Sequence, residues 1–125
     1  MIDYNEFKRL FEAPAKTPGF YINIKGIDKE YIIIKYEDSV QFSRCGNLDA
    51  TEAYYSTLEE LMDADQVDGI NLRRDWNKIE RIYPEGYGGS FEIFCEINNI
   101  EYRGELINEI WLLAHLTTRQ NTDII

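Results

Sequence analysis

Between residues 20 and 43 the polarity of the chain leaves little choice of fold. Phe20, Ile22 and Ile24 alternate with Tyr21, Asn23 and Lys25, the period-two signature of a half-buried strand. Gly26 to Lys29 reads as a turn. Tyr31-Ile32-Ile33-Ile34 follows, β-branched and apolar on both faces, as a strand covered on both sides must be. Glu37-Asp38-Ser39 turns again, and Val40 and Phe42 alternate with Gln41 and Ser43. Three strands joined by short turns make an antiparallel meander with the Tyr31–Tyr36 segment in the middle.

The elements around this meander are predicted from caps and spacing. Asp3 and Glu6 form a capping-box pattern, with Tyr4, Phe7, Leu10 and Phe11 at helical spacing behind them. Proline at positions 14 and 18 ends that helix. Ser56 and Glu59 repeat the capping pattern ahead of Leu58, Leu61 and Met62. Asp68-Gly69 is a turn signal. From Asn71 onward Leu72, Trp76, Ile79 and Tyr83 fit a helix, while Ile79, Arg81 and Tyr83 also fit a strand; helix is favoured for the first half.

Phe91, Ile93, Cys95 and Ile97 alternate with Glu92, Phe94 and Glu96, Asn98-Asn99 supplies a tight turn, and Ile100, Tyr102 and Gly104 continue on a return strand. A last helix is expected from about Ile107 to Thr118. Its residues Ile107, Ile110, Trp111, Leu112, Leu113 and Leu116 span more than one face, so it is either sunk between layers or shared with a second copy in a homodimer. The expectation is one α+β domain over residues 1–125. Its antiparallel sheet has about five strands, the meander plus a C-terminal hairpin, with three to four short helices packed on it.

The chain of 125 residues has a formal charge of −10, and the imbalance is local. Residues 46–70 hold Asp49, Glu52, Glu59, Glu60, Asp63, Asp65 and Asp68 without one Lys or Arg. The preceding 45 residues are balanced, and the following stretch carries nine acids against six bases. Such a field attracts basic partners and repels nucleic acid and anionic membranes. Tyr54 and Tyr55 stand inside the acidic run and Tyr87 in a glycine-rich loop. Tyrosines among acids suit an Arg- or Lys-rich surface, although strand and core usage is the other reading of the same residues.

Motifs for chemistry fail on inspection. Asp63-Ala64-Asp65-Gln66-Val67-Asp68-Gly69 looks like a calcium loop, but its fifth position is Val67, its sixth Asp68 and its twelfth Arg74. Gly86-Tyr87-Gly88-Gly89-Ser90 lacks the lysine of a phosphate loop and lies between Glu85 and Glu92. Glu92 and Glu96 read as the wet face of a strand rather than an acid–base pair. His115 is the single histidine, and with Cys45 and Cys95 it cannot make a four-ligand zinc site. No metal or cofactor is therefore expected. The two thiols and the absence of an apolar leader point to the cytoplasm.

In size, charge and α+β pattern the chain resembles, in general type only, the small acidic immunity or inhibitor proteins of bacteria and their mobile elements. That resemblance implies a non-enzymatic protein that masks a basic partner, such as a nuclease toxin or a nucleic-acid-handling enzyme. The contact residues expected are Asp49, Glu52, Tyr54, Tyr55, Glu59, Glu60, Asp63, Asp65 and Asp68. The alternatives are a ligand-binding domain or enzyme with a pocket near His115, and an accessory homodimer joined through the last helix.

Overall fold

A computed structural model describes residues 2–15, 17, 19–102 and 105–106. It is an α+β fold, with an open antiparallel sheet of five strands and the larger helices packed on one of its faces. Helix α1 (Tyr4–Glu12) starts where the Asp3 carboxylate accepts the Glu6 N–H at 2.8 Å. It buries Phe7, Leu10 and Phe11 and stops at Ala13. Strands β1 (Gly19–Ile24), β2 (Glu30–Lys35) and β3 (Val40–Arg44) form the expected meander, with β2 in the middle. Gly19 is required at the start of β1, because a Cβ there would come within 2.8 Å of the Ile33 carbonyl oxygen and 2.9 Å of Ile32 Cδ1.

The remaining strands of the sheet do not come from the expected hairpin. A single helical turn, α2 (Leu48–Thr51), leads into the short strand β4 (Ala53–Tyr55), which pairs with β3. Helix α3 (Leu58–Asp63) is capped one residue later than the sequence suggests. Thr57 accepts the Glu60 N–H at 3.2 Å, and the Glu60 carboxylate accepts the Ser56 N–H at 3.3 Å. The ambiguous segment is both things in turn: α4 (Leu72–Asp75), a 3₁₀ turn over Trp76–Lys78, then β5 (Ile79–Pro84). The order across the sheet is β4-β3-β2-β1-β5, every pairing antiparallel.

Residues 91–98, read as the first strand of a hairpin, are helix α5 (Phe91–Asn98). The reason is physical. Phe91, Phe94 and Cys95 are the buried set, at helical spacing, and the extra apolar residues Ile93 and Ile97 create a false alternation while staying exposed. Ser90 caps the helix by accepting the Ile93 N–H. Asn99 does adopt the left-handed conformation (φ 55°), but as a helix C-cap, its N–H bonded to the Cys95 and Glu96 carbonyls. The same asparagine property serves a tight turn and a helix end. Tyr102 of the expected return strand lies instead in a different short pair, β6 (Glu101–Tyr102) with β7 (Glu105–Leu106). The expected helix 107–118, with Trp111 and His115, lies outside the described residues.

The core sits between the sheet and α1, α3, α4 and α5. Phe7, Phe11 and Phe20 form an aromatic cluster continued by Trp76, Phe91 and Phe94, with ring centroids 5.3–6.1 Å apart. Tyr31 stacks on Phe42 at 5.5 Å. Register puts Tyr21, Tyr83, Ile32, Ser43, Gln41 and Tyr54 on the opposite face. Ile32 is buried there, as a strand apolar on both faces requires.

Candidate partner-binding surface

The acidic segment divides into carboxylates already engaged within the fold and carboxylates left at its surface. Glu59 on α3 is the centre of the first group. It accepts from the Tyr4 hydroxyl, from Lys8 Nζ at 2.9 Å and from Arg73 at 2.6 Å, so that α1, α3 and α4 meet on one carboxylate. Those donors, the tyrosine hydroxyl first, pull its pKa down to about 2. Asp63 is paired with Arg73 Nε. Asp68 takes Arg44 at 3.0 and 3.1 Å and the buried Tyr31 hydroxyl at 2.7 Å. The tyrosine and then the arginine hold the Asp68 carboxyl below its ordinary range. Asp68 sits at φ 61°, a left-handed backbone that Asp and Asn adopt more readily than other non-glycine residues.

A buried carboxylate that sequence reading passed over completes this group. Asp75 accepts from Arg74 at 2.9 and 2.8 Å and from the Asn71 N–H at 3.0 Å, with Lys78 Nζ 3.6 Å away. Arg74 above all holds it far below the carboxylate range. Both Glu59 and Asp75 are therefore depressed in the folded state. The stability they contribute is fully present above an ordinary carboxylate pKa of about 4–4.5 and is lost as pH falls through their folded values. Urea unfolding at pH 7 and pH 3 should show a smaller acid loss for Glu59→Gln than for the parent. An identical loss would mean that Glu59 is not a linked group.

The second group lies along the β4 edge of the sheet. Glu52 accepts from Gln41 Nε2 at 3.1 Å and from the Tyr54 hydroxyl at 3.2 Å, and the Tyr36 hydroxyl donates to Gln41 Oε1 at 2.6 Å. The Tyr36 and Tyr54 rings lie 6.2 Å apart, 43% and 55% exposed. Glu37 and Asp38 occupy the adjoining β2–β3 turn. A hollow of about 290 Å³ separates that turn from residues 56–58, one helical turn before Glu60. Among the described residues Glu37, Asp38, Glu52 and Glu60 make no ion pair. Lys35 lines the hollow, but its ammonium is held by the Phe11 and Ala13 carbonyls at 2.6 and 3.4 Å.

Of the expected contact residues, the structure thus brings Glu52, Tyr54 and Glu60 to one edge. Glu59, Asp63 and Asp68 are turned to internal partners. Asp65 is exposed and bonded to Asn71 at 3.2 Å. Tyr55 is half-buried against the core, its hydroxyl accepting from Gln66, and Asp49 lies in α2 with its side chain outside the description. Tyr87 packs edge-on against Phe94 at 5.1 Å. Tyr36, Glu37 and Asp38 join the surface unannounced. The three-residue strand β4 gives no readable sequence signal, and its register with β3 is what brings Tyr54 beside Tyr36.

The acids of 63–69 point to three separate partners, and among the described residues no group of three His, Cys, Asp or Glu side chains could hold a metal ion. With α5 a helix, Glu92 and Glu96 stand one turn apart on its outer side. Both cysteines are free; Cys95 is in the core, where burial pushes its thiol up to about 11. No described helix is long and apolar enough to cross a membrane. No family model, curated protein or solved structure matches this chain.

Proposed function

We propose that this chain is a non-enzymatic binding protein of immunity or inhibitor type, which docks on a basic surface of another protein and masks it. The observation that carries the reading is the exposed Tyr36–Tyr54 pair, set among Glu37, Asp38, Glu52 and Glu60, carboxylates that make no ion pair among the described residues. Aromatic rings offer area and a face for a guanidinium or ammonium, and the surrounding carboxylates offer pairing. The internally paired Glu59 and Asp63 tie α1, α3 and α4 together, and Asp68 ties its turn to β2 and β3, instead of meeting the partner. We place the protein in the cytoplasm, in keeping with its free thiols, and assign it no direct contact with nucleic acid.

The test is capture from source-cell extract with the parent chain and with a Glu37→Lys, Asp38→Lys, Tyr54→Ala variant. All three positions are exposed, and the fold should tolerate them within about 0.5 kcal/mol each. The parent should retain a basic protein, with an association rate that falls steeply, on the order of tenfold, between 0.05 and 0.5 M salt. The variant should lose it. Equal capture by both, or a rate indifferent to salt, would remove this edge as the interface.

A further inference from the structure

Behind the two exposed rings of the β4 edge lies a buried amide. Gln41 is 2% exposed on the face of β3 turned away from the helices, directly opposite Tyr54 across the β3–β4 ladder. Its side chain is out of reach of water, so its polar atoms need partners within the fold. Nε2 donates to Ser43 Oγ at 2.9 Å and to Glu52 Oε2 at 3.1 Å, and Oε1 accepts from the Tyr36 hydroxyl at 2.6 Å. The Tyr54 hydroxyl donates to the same Glu52 oxygen at 3.2 Å.

Charge fixes the direction of donation through this chain. A carboxylate only accepts, so Glu52 turns the NH2 group of Gln41 toward itself, and the amide oxygen is left for Tyr36. A carbonyl oxygen in turn obliges the Tyr36 phenol to donate. The hydroxyl protons of both rings are thus given to groups of the fold, and the edge offers ring faces and carboxylates, which suit a cationic donor. We infer that Gln41 is the positioning residue of this edge: it fixes the Tyr36 ring directly, and Tyr54 through Glu52, in the geometry that a basic side chain of the partner meets. The inference rests on the docking reading above. Without the amide, ordering of the Tyr36 ring would fall to the binding step, and the affinity would carry that entropy.

Ring order measured by carbon-13 relaxation on the full chain, with a hexa-arginine peptide as the binding probe, tests the inference. In the parent the Tyr36 ring should be ordered, and the peptide should shift the Tyr36 and Tyr54 ring resonances. Gln41→Met keeps the side-chain length and the net charge. It should drop the Tyr36 ring order parameter below about 0.6 and leave unchanged the Tyr31 ring, which stacks on Phe42 behind the same strand. The peptide should bind about three- to tenfold more weakly, with the same salt dependence. A Tyr36 ring already mobile in the parent, one still ordered in Gln41→Met, or an affinity unchanged by its loosening would each overturn this inference alone. A parent whose two ring resonances ignore the peptide overturns the docking reading and this inference with it. Should Gln41→Met also loosen Tyr31, Tyr36→Phe decides, since it removes one hydroxyl at an exposed position. The ring at position 36 should then lose its order in the same way, and an ordered ring there refutes the inference.

Discussion

Phe20→Ala should cost about 3–5 kcal/mol, the largest loss expected from any single truncation in this fold. Phe20 is fully buried near the start of β1 and touches the rings of Phe7, Phe11, Phe91 and Phe94, so it joins α1 and α5 to the sheet. Four rings converging on one cannot collapse together into the space it leaves, which puts the cost toward the upper end of the range. A domain of this size has about 5–15 kcal/mol in total, so the variant is left close to its unfolding threshold. In urea the midpoint should fall by on the order of 2 M with the slope unchanged. A loss below about 1 kcal/mol would contradict the placement of this residue. Tyr54→Ala, at the exposed edge, is the control and should move the midpoint little.

Reversal of single acids should separate the two classes of carboxylate. Glu59→Lys places a cation among Lys8, Arg73 and the Tyr4 hydroxyl, replacing two ion pairs by two repulsions. Exposed pairs are screened by solvent to ~0.2–1 kcal/mol each, and Glu59 is partly exposed, so the screened total is on the order of 2 kcal/mol. Glu37→Lys, in the β2–β3 turn, should change stability by no more than about 0.5 kcal/mol. The same two variants compared for partner capture should rank the other way once the Glu59 variant is assayed below its unfolding range. If Glu59→Lys is as stable as Glu37→Lys, the α1–α3–α4 junction does not depend on this carboxylate.

The meander was legible because alternation, turns and a doubly apolar middle strand all pointed to one arrangement. Helix α1 was legible for a similar reason: its cap and its apolar stripe agreed. Reading failed where two periods coexist. In Phe91–Ile97 five of seven residues are apolar, so both strand and helix find their pattern, and the Ser90 cap was the discriminating signal. Strand β4 is too short to have a period, and β5 is exposed at Glu80 and Arg81, which weakened its signature. As for the candidate surface, the sequence shows where the acids are dense along the chain, residues 46–70. It could not say which acids would be answered by Lys8, Arg44 and Arg73, because those bases come from other elements.

The strand order has a consequence for how the chain reaches this fold. The turns within the meander close over a handful of residues, whereas β5 must return across the whole 25–78 segment to lie beside β1. Closing a loop roughly ten times longer costs about 2 kcal/mol more in chain entropy, and nothing repays it until the β1–β5 ladder is in register. Assembly therefore has a natural sequence in time: β1 to β3 pair first, and β5 arrives late, with α5 behind it. Until then β1 is itself an edge strand, and its open N–H and C=O groups form the stretch most exposed to mispairing with another chain.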